Sequence, residues 1–296
     1  MTKLDIAQLL LLAALWGGSF LLIRIAVPVI GPIWLIELRV LVASLALLPL
    51  LLRAGLWPAV RQNWRSLLIV GGLNSALPYS LLAFSAMSFS AGFSSILNAT
   101  TPLFGSLAAA IWLGERSSPV QRLGLLVGFI GVVILVGWQS IALTSEFVMA
   151  TAAGLLAALL YAVSAPYIKQ KLAGVPSLAI TTGSLLGATL LLLPVLPFTR
   201  PQQFPTLPIV LAVLVLALLS TALAYIVYFR LLHAIGPTKT LTVAYLIPLF
   251  AMVAGALVLQ EAITSSMLWG CGLILLGTAI ANDLLTVMRG ESTKTP

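Results

Sequence analysis

The sequence predicts an all-α integral membrane protein, with ten transmembrane helices arranged as two inverted five-helix repeats. Three observations predict it. The 296 residues are 61% hydrophobic and only 7% charged, where a water-soluble domain usually carries about 25% charged residues. Apolar runs long enough to cross a bilayer recur from Leu4 to Met288. The second half of the chain also repeats the first at a nearly constant offset.

A span needs roughly 20 apolar residues to cross the hydrocarbon core. That criterion places helices at about 4–27, 32–53, 65–87, 91–113, 119–138, 147–170, 177–198, 207–232, 237–260 and 264–287. Turn formers separate them, among them Gly31-Pro32, Ser117-Ser118-Pro119, Gly174-Val175-Pro176 and Gly236-Pro237. The longest connection runs from about Arg53 to Trp64, and no soluble domain is inserted anywhere. The first apolar run follows Lys3 and continues to about Ala26. That is longer than the apolar region of a signal peptide, so it is expected to stay in the membrane as a helix.

The net charge of +8 is explained by topology rather than by nucleic acid, because the basic residues sit in short segments between helices. With the N-terminus inside, the inner segments hold Lys3, Arg53, Arg61, Arg65, Arg116, Arg122, Lys169, Lys171, Arg230, Lys239, Arg289 and Lys294. Only Arg24, Arg39 and Arg200 lie elsewhere. This skew predicts a multi-pass protein of the cell inner membrane with both termini cytoplasmic. Trp34 and Trp138 mark outer ends, while Trp57, Trp64 and Trp112 mark the inner side. The single cysteine, Cys271, excludes an intramolecular disulfide.

The internal repeat is read residue by residue. At an offset of 145, Leu15-Trp16-Gly17-Gly18-Ser19 matches Leu160-Tyr161-Ala162-Val163-Ser164, Arg24 matches Lys169, and Pro49 matches Pro194. After one extra residue the offset becomes 146. Tyr79 then meets Tyr225, Pro102-Leu103-Phe104 meets Pro248-Leu249-Phe250, and Glu115 meets Glu261. Gly124 and Gly131 meet Gly270 and Gly277. This divides the chain into a first repeat (1–140), a second (141–288) and a cytoplasmic tail (289–296), which is expected to be disordered. Five spans per repeat force the second copy to enter the bilayer upside down, which is how many transporters obtain two related states. The alternative is a duplicated membrane scaffold with no pore.

The stretch Ala91-Gly92-Phe93-Ser94-Ser95-Ile96-Leu97-Asn98-Ala99-Thr100-Thr101-Pro102-Leu103-Phe104, followed by Leu113-Gly114-Glu115-Arg116 and by Gly124 and Gly131, resembles the EamA repeat of the drug/metabolite transporter superfamily. So does Pro237 to Gly277, where Leu259-Gln260-Glu261 departs from the usual Leu-Gly-Glu. Leu15-Trp16-Gly17-Gly18-Ser19-Phe20 resembles the family's first helix. The resemblance covers essentially the whole chain. It implies ten helices around a central cavity and export of small metabolites without ATP. Within the superfamily, length and layout are similar to the YddG-type amino-acid exporters.

Polar groups in lipid are expensive and face the bundle interior or a wet cavity. Trp16 and Tyr161 are repeat partners near mid-span, away from the interface where such aromatics normally sit. They are candidates for stacking on an apolar or aromatic substrate, with plain helix packing as the alternative. Asn74, Tyr79 and Tyr225 add polar groups on helices 3 and 8. Ser94, Asn98 and Thr101 share one face of helix 4, and Tyr245 lies on helix 9. Serine and threonine also serve as packing residues between membrane helices. Pro78, Pro102, Pro166 and Pro248 each free a carbonyl four residues earlier, either to bind an ammonium group or to act as a hinge. Glu37, Arg24 and Arg39 are read as a buried ion-pair group joining helices 1 and 2, with a proton site as the alternative.

One histidine, one cysteine and no helical pair of acids supply no catalytic constellation or metal cluster, so no enzyme, metal or cofactor is expected. No G-x-x-x-x-G-K-[ST] loop is present, which excludes an ATP-driven pump. The expectation is a secondary exporter of small metabolites, amino acids including aromatic or apolar ones, acting through a cavity lined by helices 1, 3, 4, 6, 8 and 9. The expected partners are a small-molecule substrate and the lipid bilayer. Other metabolites or drugs, and a non-transporting scaffold, are the alternatives. Proton exchange and facilitated diffusion stand level, since no acid lies near mid-membrane.

Overall fold

The computed structural model describes residues 1–112, 118–137, 144–199, 201, 203–240 and 242–281, and these contain helices and no strand. In chain order the helices are α1 (Lys3–Ile30), α2 (Pro32–Arg53), α3 (Trp57–Gln62), α4 (Trp64–Ser88), α5 (Ala91–Asn98) and α6 (Thr101–Trp112). They continue with α7 (Pro119–Gly137), α8 (Ser145–Lys171), α9 (Ser177–Phe198), α10 (Leu207–Ile235), α11 (Pro237–Thr240), α12 (Val243–Leu259) and α13 (Ser265–Ala281). Seven of them, α1, α2, α4, α7, α8, α9 and α10, are long and apolar enough to cross a membrane. On the outer surface, large apolar side chains such as Leu190, Val133, Trp269 and Leu257 keep 63% to 72% of their area exposed. Hydrocarbon, not water, is the solvent such a surface requires.

The ten expected spans are not ten unbroken helices among the described residues. The segment expected at 91–113 is two helices, α5 and α6, separated at Ala99 and Thr100. Proline at 102 has no N–H to continue the ladder and disfavours helical geometry at the residue before it. The Thr100 and Thr101 hydroxyls instead donate to the carbonyls of Leu97 and Asn98, each at 2.7 Å. The segment expected at 237–260 likewise starts with a separate turn, α11, before the 17 residues of α12. Glu115, Arg116, Trp138, Arg200, Asp283, Arg289 and Lys294 lie outside the described residues.

Two repeat-equivalent pairs show the halves running in opposite directions. Helices α7 and α13 pack antiparallel through glycine. A Cβ on Gly124 would meet the Gly277 carbonyl at 2.7 Å, and one on Gly131 would meet the Gly270 carbonyl at 2.9 Å. Backbone therefore lies against backbone, as small residues permit where lipid gives no hydrophobic drive for association. Similarly, Gly92 in the first turn of α5 packs on Met252 of α12, and Ala91 lies beside Glu261 just past the end of α12.

The bundle has two ends. At the end that carries Lys3, Leu9, Leu12, Val227, Leu231 and Val243 form one cluster, and Leu51, Val60, Leu67 and Leu172 another. At the opposite end, Ile23, Val27 and Ile30 of α1 meet Leu35, Ile36 and Val40 of α2, Leu185 of α9 and Val213 and Leu216 of α10 in a larger core. The Trp34 indole also donates to the Thr199 carbonyl there. Between the clusters the interior is open.

Glycine at 277 is expected to be irreplaceable for a steric reason. An added Cβ would collide with the Gly128 backbone nitrogen, whereas Gly272 faces nothing within 4 Å. Thermal unfolding of the solubilised protein should show Gly277→Ala destabilised by about 1–3 kcal/mol. Gly272→Ala should stay within about 0.5 kcal/mol of the parent.

Candidate transport cavity

An internal cavity of about 530 Å³ occupies the space between the halves. Its wall uses α1 only as far as Ile23, α9 only from Ser177 to Leu185, and α10 only from Tyr225 to Leu232. Val70, Ile168, Ser177, Leu232 and Val243 carry it towards the Lys3 end, while the large core closes the opposite end. Most of the wall is apolar, with a few polar groups converging on it, as small-molecule sites generally are.

Aromatic rings dominate the middle of the wall, in an order that follows the repeat. Tyr161 meets Tyr79 edge-on with centroids 6.2 Å apart. The hydroxyls of Tyr79 and Tyr225 are 3.4 Å apart. Tyr225 then meets Trp16 edge-on at 6.3 Å. Since Trp16 repeats as Tyr161 and Tyr79 as Tyr225, the series Tyr161, Tyr79, Tyr225, Trp16 maps onto itself when the halves are exchanged. Tyr228 and Phe229 extend it, at 5.5 Å from Trp16 and 6.0 Å from Tyr225 respectively. Edge-on pairs of this kind contribute about 0.5–1.5 kcal/mol each beyond area burial.

Both central tyrosines follow a π-helical turn, Gly72–Ala76 in α4 and Leu218–Leu223 in α10. The turns are repeat-equivalent at the offset of 146. Proline explains only one of them, since Pro78 has Ala224 as its counterpart. A π turn widens the helix locally and redirects side chains. In α10 it lets the Thr221 hydroxyl donate to the Leu216 carbonyl five residues back, at 2.9 Å. The same oxygen accepts from Arg39 Nε at 2.9 Å. The Arg39 guanidinium lies over the Tyr79 ring, 3.8 Å from its centroid.

The expected ion-pair group divides differently. Arg24 Nη1 donates to the Ala86 and Met87 carbonyls at 2.7 and 2.8 Å, and its Nε lies 3.7 Å from Glu261 Oε1. Glu261 Oε2 accepts from the Ala91 amide at 2.9 Å. The cation thus serves the last carbonyls of α4 and the carboxylate serves the first turn of α5, the polarity that helix ends favour. Four segments (α1, the end of α4, the start of α5 and the end of α12) are stapled at the closed end. Gln260, with φ of 55°, makes the left-handed turn that brings Glu261 back across Gly255. Glu37, in contrast, pairs with neither arginine: it is 2% exposed and neither carboxylate oxygen has a hydrogen-bond partner. Arg24 is occupied elsewhere. Arg39, two residues on, projects about 200° around the helix from Glu37 at 3.6 residues per turn.

Of the residues singled out from sequence, Trp16, Asn74, Tyr79, Asn98, Thr101, Tyr161 and Tyr225 lie on the wall, with Pro102 and Arg39. Ser94, Tyr245, Pro78, Pro166 and Pro248 do not. The carbonyl freed by Pro102, that of Asn98, already accepts from the Thr101 hydroxyl. Two elements absent from the expected lining contribute: α2 through Arg39, and α9 through Ser177, Thr181 and Ser184. The signal for α9 was available, because 177, 181 and 184 fall on one helical face.

A glycine-tight bundle of apolar helices in two opposed halves, hollow at the centre and lined by rings from both, defines a membrane transporter. The family model for the EamA-like transporter family matches twice, over residues 4–137 and 148–282, and the chain belongs to that family. Protein PecM of Dickeya dadantii is 27% identical over 94% of this chain and 92% of that protein. A probable terminal-alkyne amino-acid exporter of Streptantibioticus cattleyicolor is 28% identical over 97% of this chain and 96% of its own length. An uncharacterised transporter of Bacillus subtilis, YvbV, is 26% identical over 92% of this chain and 89% of its own. A protein crystal structure 21% identical in sequence shares the fold, with a TM-score of 0.67 over 99% of this chain and 100% of that one.

Two expectations concern the staple. In a double-mutant cycle of Arg24→Gln and Glu261→Gln, read by thermal unfolding, the pair should show a coupling of about 0.5–3 kcal/mol. Replacing Gln260 by glycine should stabilise the protein by about 0.5–1 kcal/mol, because a left-handed residue costs about 1–2 kcal/mol when it carries a Cβ.

Proposed function

We propose that the protein is a secondary, non-ATP transporter of the inner membrane that exports small metabolites, amino acids with aromatic or apolar side chains above all, by alternating access. The observation that carries this reading is the cavity: it is drawn from both halves, walled by aromatic rings, extended towards one end of the bundle and separated from the other by a packed core. A carrier caught in one of its two states has this form, and inverted halves supply the other state by exchanging roles. With the termini cytoplasmic, as the distribution of lysine and arginine favours, the cavity reaches towards the cytoplasmic end, as an inward-facing state requires. A cavity of this size suits a ligand of amino-acid to small-drug dimensions.

Trp16, Tyr79, Tyr161 and Tyr225 offer faces to an apolar or aromatic side chain, while Asn74, Asn98 and Thr101 offer hydrogen bonds. The prolines at 78, 102, 166 and 248 are the hinge candidates. The Streptantibioticus relative, named as an exporter of an amino acid, makes the same substrate class the first to test here.

Purified protein in liposomes preloaded with single amino acids should catalyse counterflow of at least one, with no nucleotide added. Counterflow of none, or of related metabolites neither, would remove the transporter reading. Trp16→Ala and Asn98→Ala should each lower apparent affinity roughly threefold to tenfold, the equivalent of about 0.5–1.5 kcal/mol for a lost ring or hydrogen-bond contact. Their abundance in the membrane should stay unchanged.

A further inference from the structure

Among the described residues, Arg39 is the only charged one on the cavity wall, and its charge has no counter-ion. The side chain is 4% exposed. A guanidinium so deep in a membrane protein is costly unless it is paired or meets a polar ligand or water. Among the described residues, Arg39 Nε donates to Thr221 and the flat face rests on Tyr79. Neither neutralises the charge, and together they use one of its five N–H donors. The described acids are accounted for otherwise. Glu261 is held by Arg24 and the Ala91 amide. Glu37 is unpaired and off the wall. Asp5 belongs to the first turn of α1 and Glu146 to the first turn of α8.

We propose that Arg39 is the anion-binding pole of the cavity and receives the carboxylate of the transported molecule on its four free Nη hydrogens. This rests on reading the cavity as the transport site. The planar fork matches a carboxylate in two parallel hydrogen bonds. Fixing it beforehand through Thr221 and Tyr79 reduces the ordering cost on binding. The pole is single, because the repeat counterpart of Arg39 is Ser184, which also lines the wall but carries no charge. Asn98 is on the wall, and its Oδ1 is buried with no hydrogen-bond partner among the described residues. A turn of that amide towards the cavity would offer the oxygen to the ammonium of the same ligand. The substrate class that follows is a small zwitterion with an apolar body, and simple amines are excluded by the like charge.

The test separates this inference from the transport reading by measuring binding and flux independently. Binding to solubilised protein is read as thermal stabilisation by phenylalanine, 3-phenylpropionate, phenylalaninamide and phenethylamine. Flux of the same compounds is read in liposomes. The two carboxylates should bind at least tenfold more tightly than the amide and the amine, and Arg39→Gln should abolish that preference. Thr221→Val, which leaves the cation but frees its Nε, should weaken carboxylate binding severalfold with the preference retained.

Equal binding of phenethylamine and phenylalanine by the parent protein would overturn the inference, and so would a carboxylate preference that survives Arg39→Gln. No binding of either carboxylate at millimolar concentration would overturn it as well. Should Arg39→Gln fail to fold, the four-compound series on the parent protein and Thr221→Val still decides. Carboxylate binding without flux would uphold the pole and sink the transport reading, and flux without carboxylate preference would do the reverse.

Discussion

Hydrocarbon offers no hydrogen bonds, so every donor or acceptor that a helix fails to use must be answered inside the protein. Most of the architecture follows from that constraint. Serine and threonine hydroxyls turn back onto their own helices, as Ser19 does to the Trp16 carbonyl, Ser95 to Gly92 and Thr240 to Gly236. The break between α5 and α6 is sealed by the Thr100 and Thr101 hydroxyls. The unmet carbonyls at the end of α4 are met by Arg24, whose charge is answered by Glu261. Buried polar side chains without a partner among the described residues remain, such as Glu37, Ser85 and Ser164 off the wall and Asn98 on it. Those that line the cavity, with the free donors of Arg39, bear on what it holds.

The two halves share a frame and differ in chemistry. Glycine pairs between α7 and α13, the π turns in α4 and α10, and the aromatic series across the middle all respect the repeat. Exchange of the halves leaves the rings in place. Arg39 opposite Ser184, and Glu37 opposite Thr182, break the correspondence where charge is concerned. Shape thus comes from duplication, and the two halves differ in charge where duplication has been overwritten.

Much of this was legible in the residues alone. Composition and run length gave the membrane, and the offset of 145 to 146 gave the pairing of Trp16 with Tyr161 and of Tyr79 with Tyr225, all four of which lie on the wall. Repeat pairing works because an aromatic on the axis of a two-fold bundle needs a partner across it. Partners set by tertiary structure were not legible. Arg24 meets a carboxylate 237 positions away, at a helix end whose direction depends on the left-handed Gln260. Arg39 read as half of an ion pair because Glu37 is near in sequence, yet nearness by two places on a helix means opposite faces. The interruption at Ala99 was signalled by Pro102 but reads as a kink when only the apolar run is followed. Helix α9 was passed over because its polar wall residues are small hydroxyls, which serve equally as packing.

The contact between the Tyr79 and Tyr225 hydroxyls has one more property. A pair made of repeat partners is its own image under exchange of the halves, so on the proposed alternating access it would be the same contact in both states. The α7–α13 seam is self-imaged too, since Gly124 against Gly277 becomes Gly270 against Gly131. The Arg24–Glu261 staple is not: the repeat counterpart of Arg24 is Lys169, near the other end of the bundle. In a molecule whose halves exchange roles, self-imaged contacts form the stationary axle and staples of the other kind are the parts that must open and close. Two tyrosine hydroxyls at the centre of the wall are thus both lining and pivot, and a ligand resting on them sits at the point that moves least.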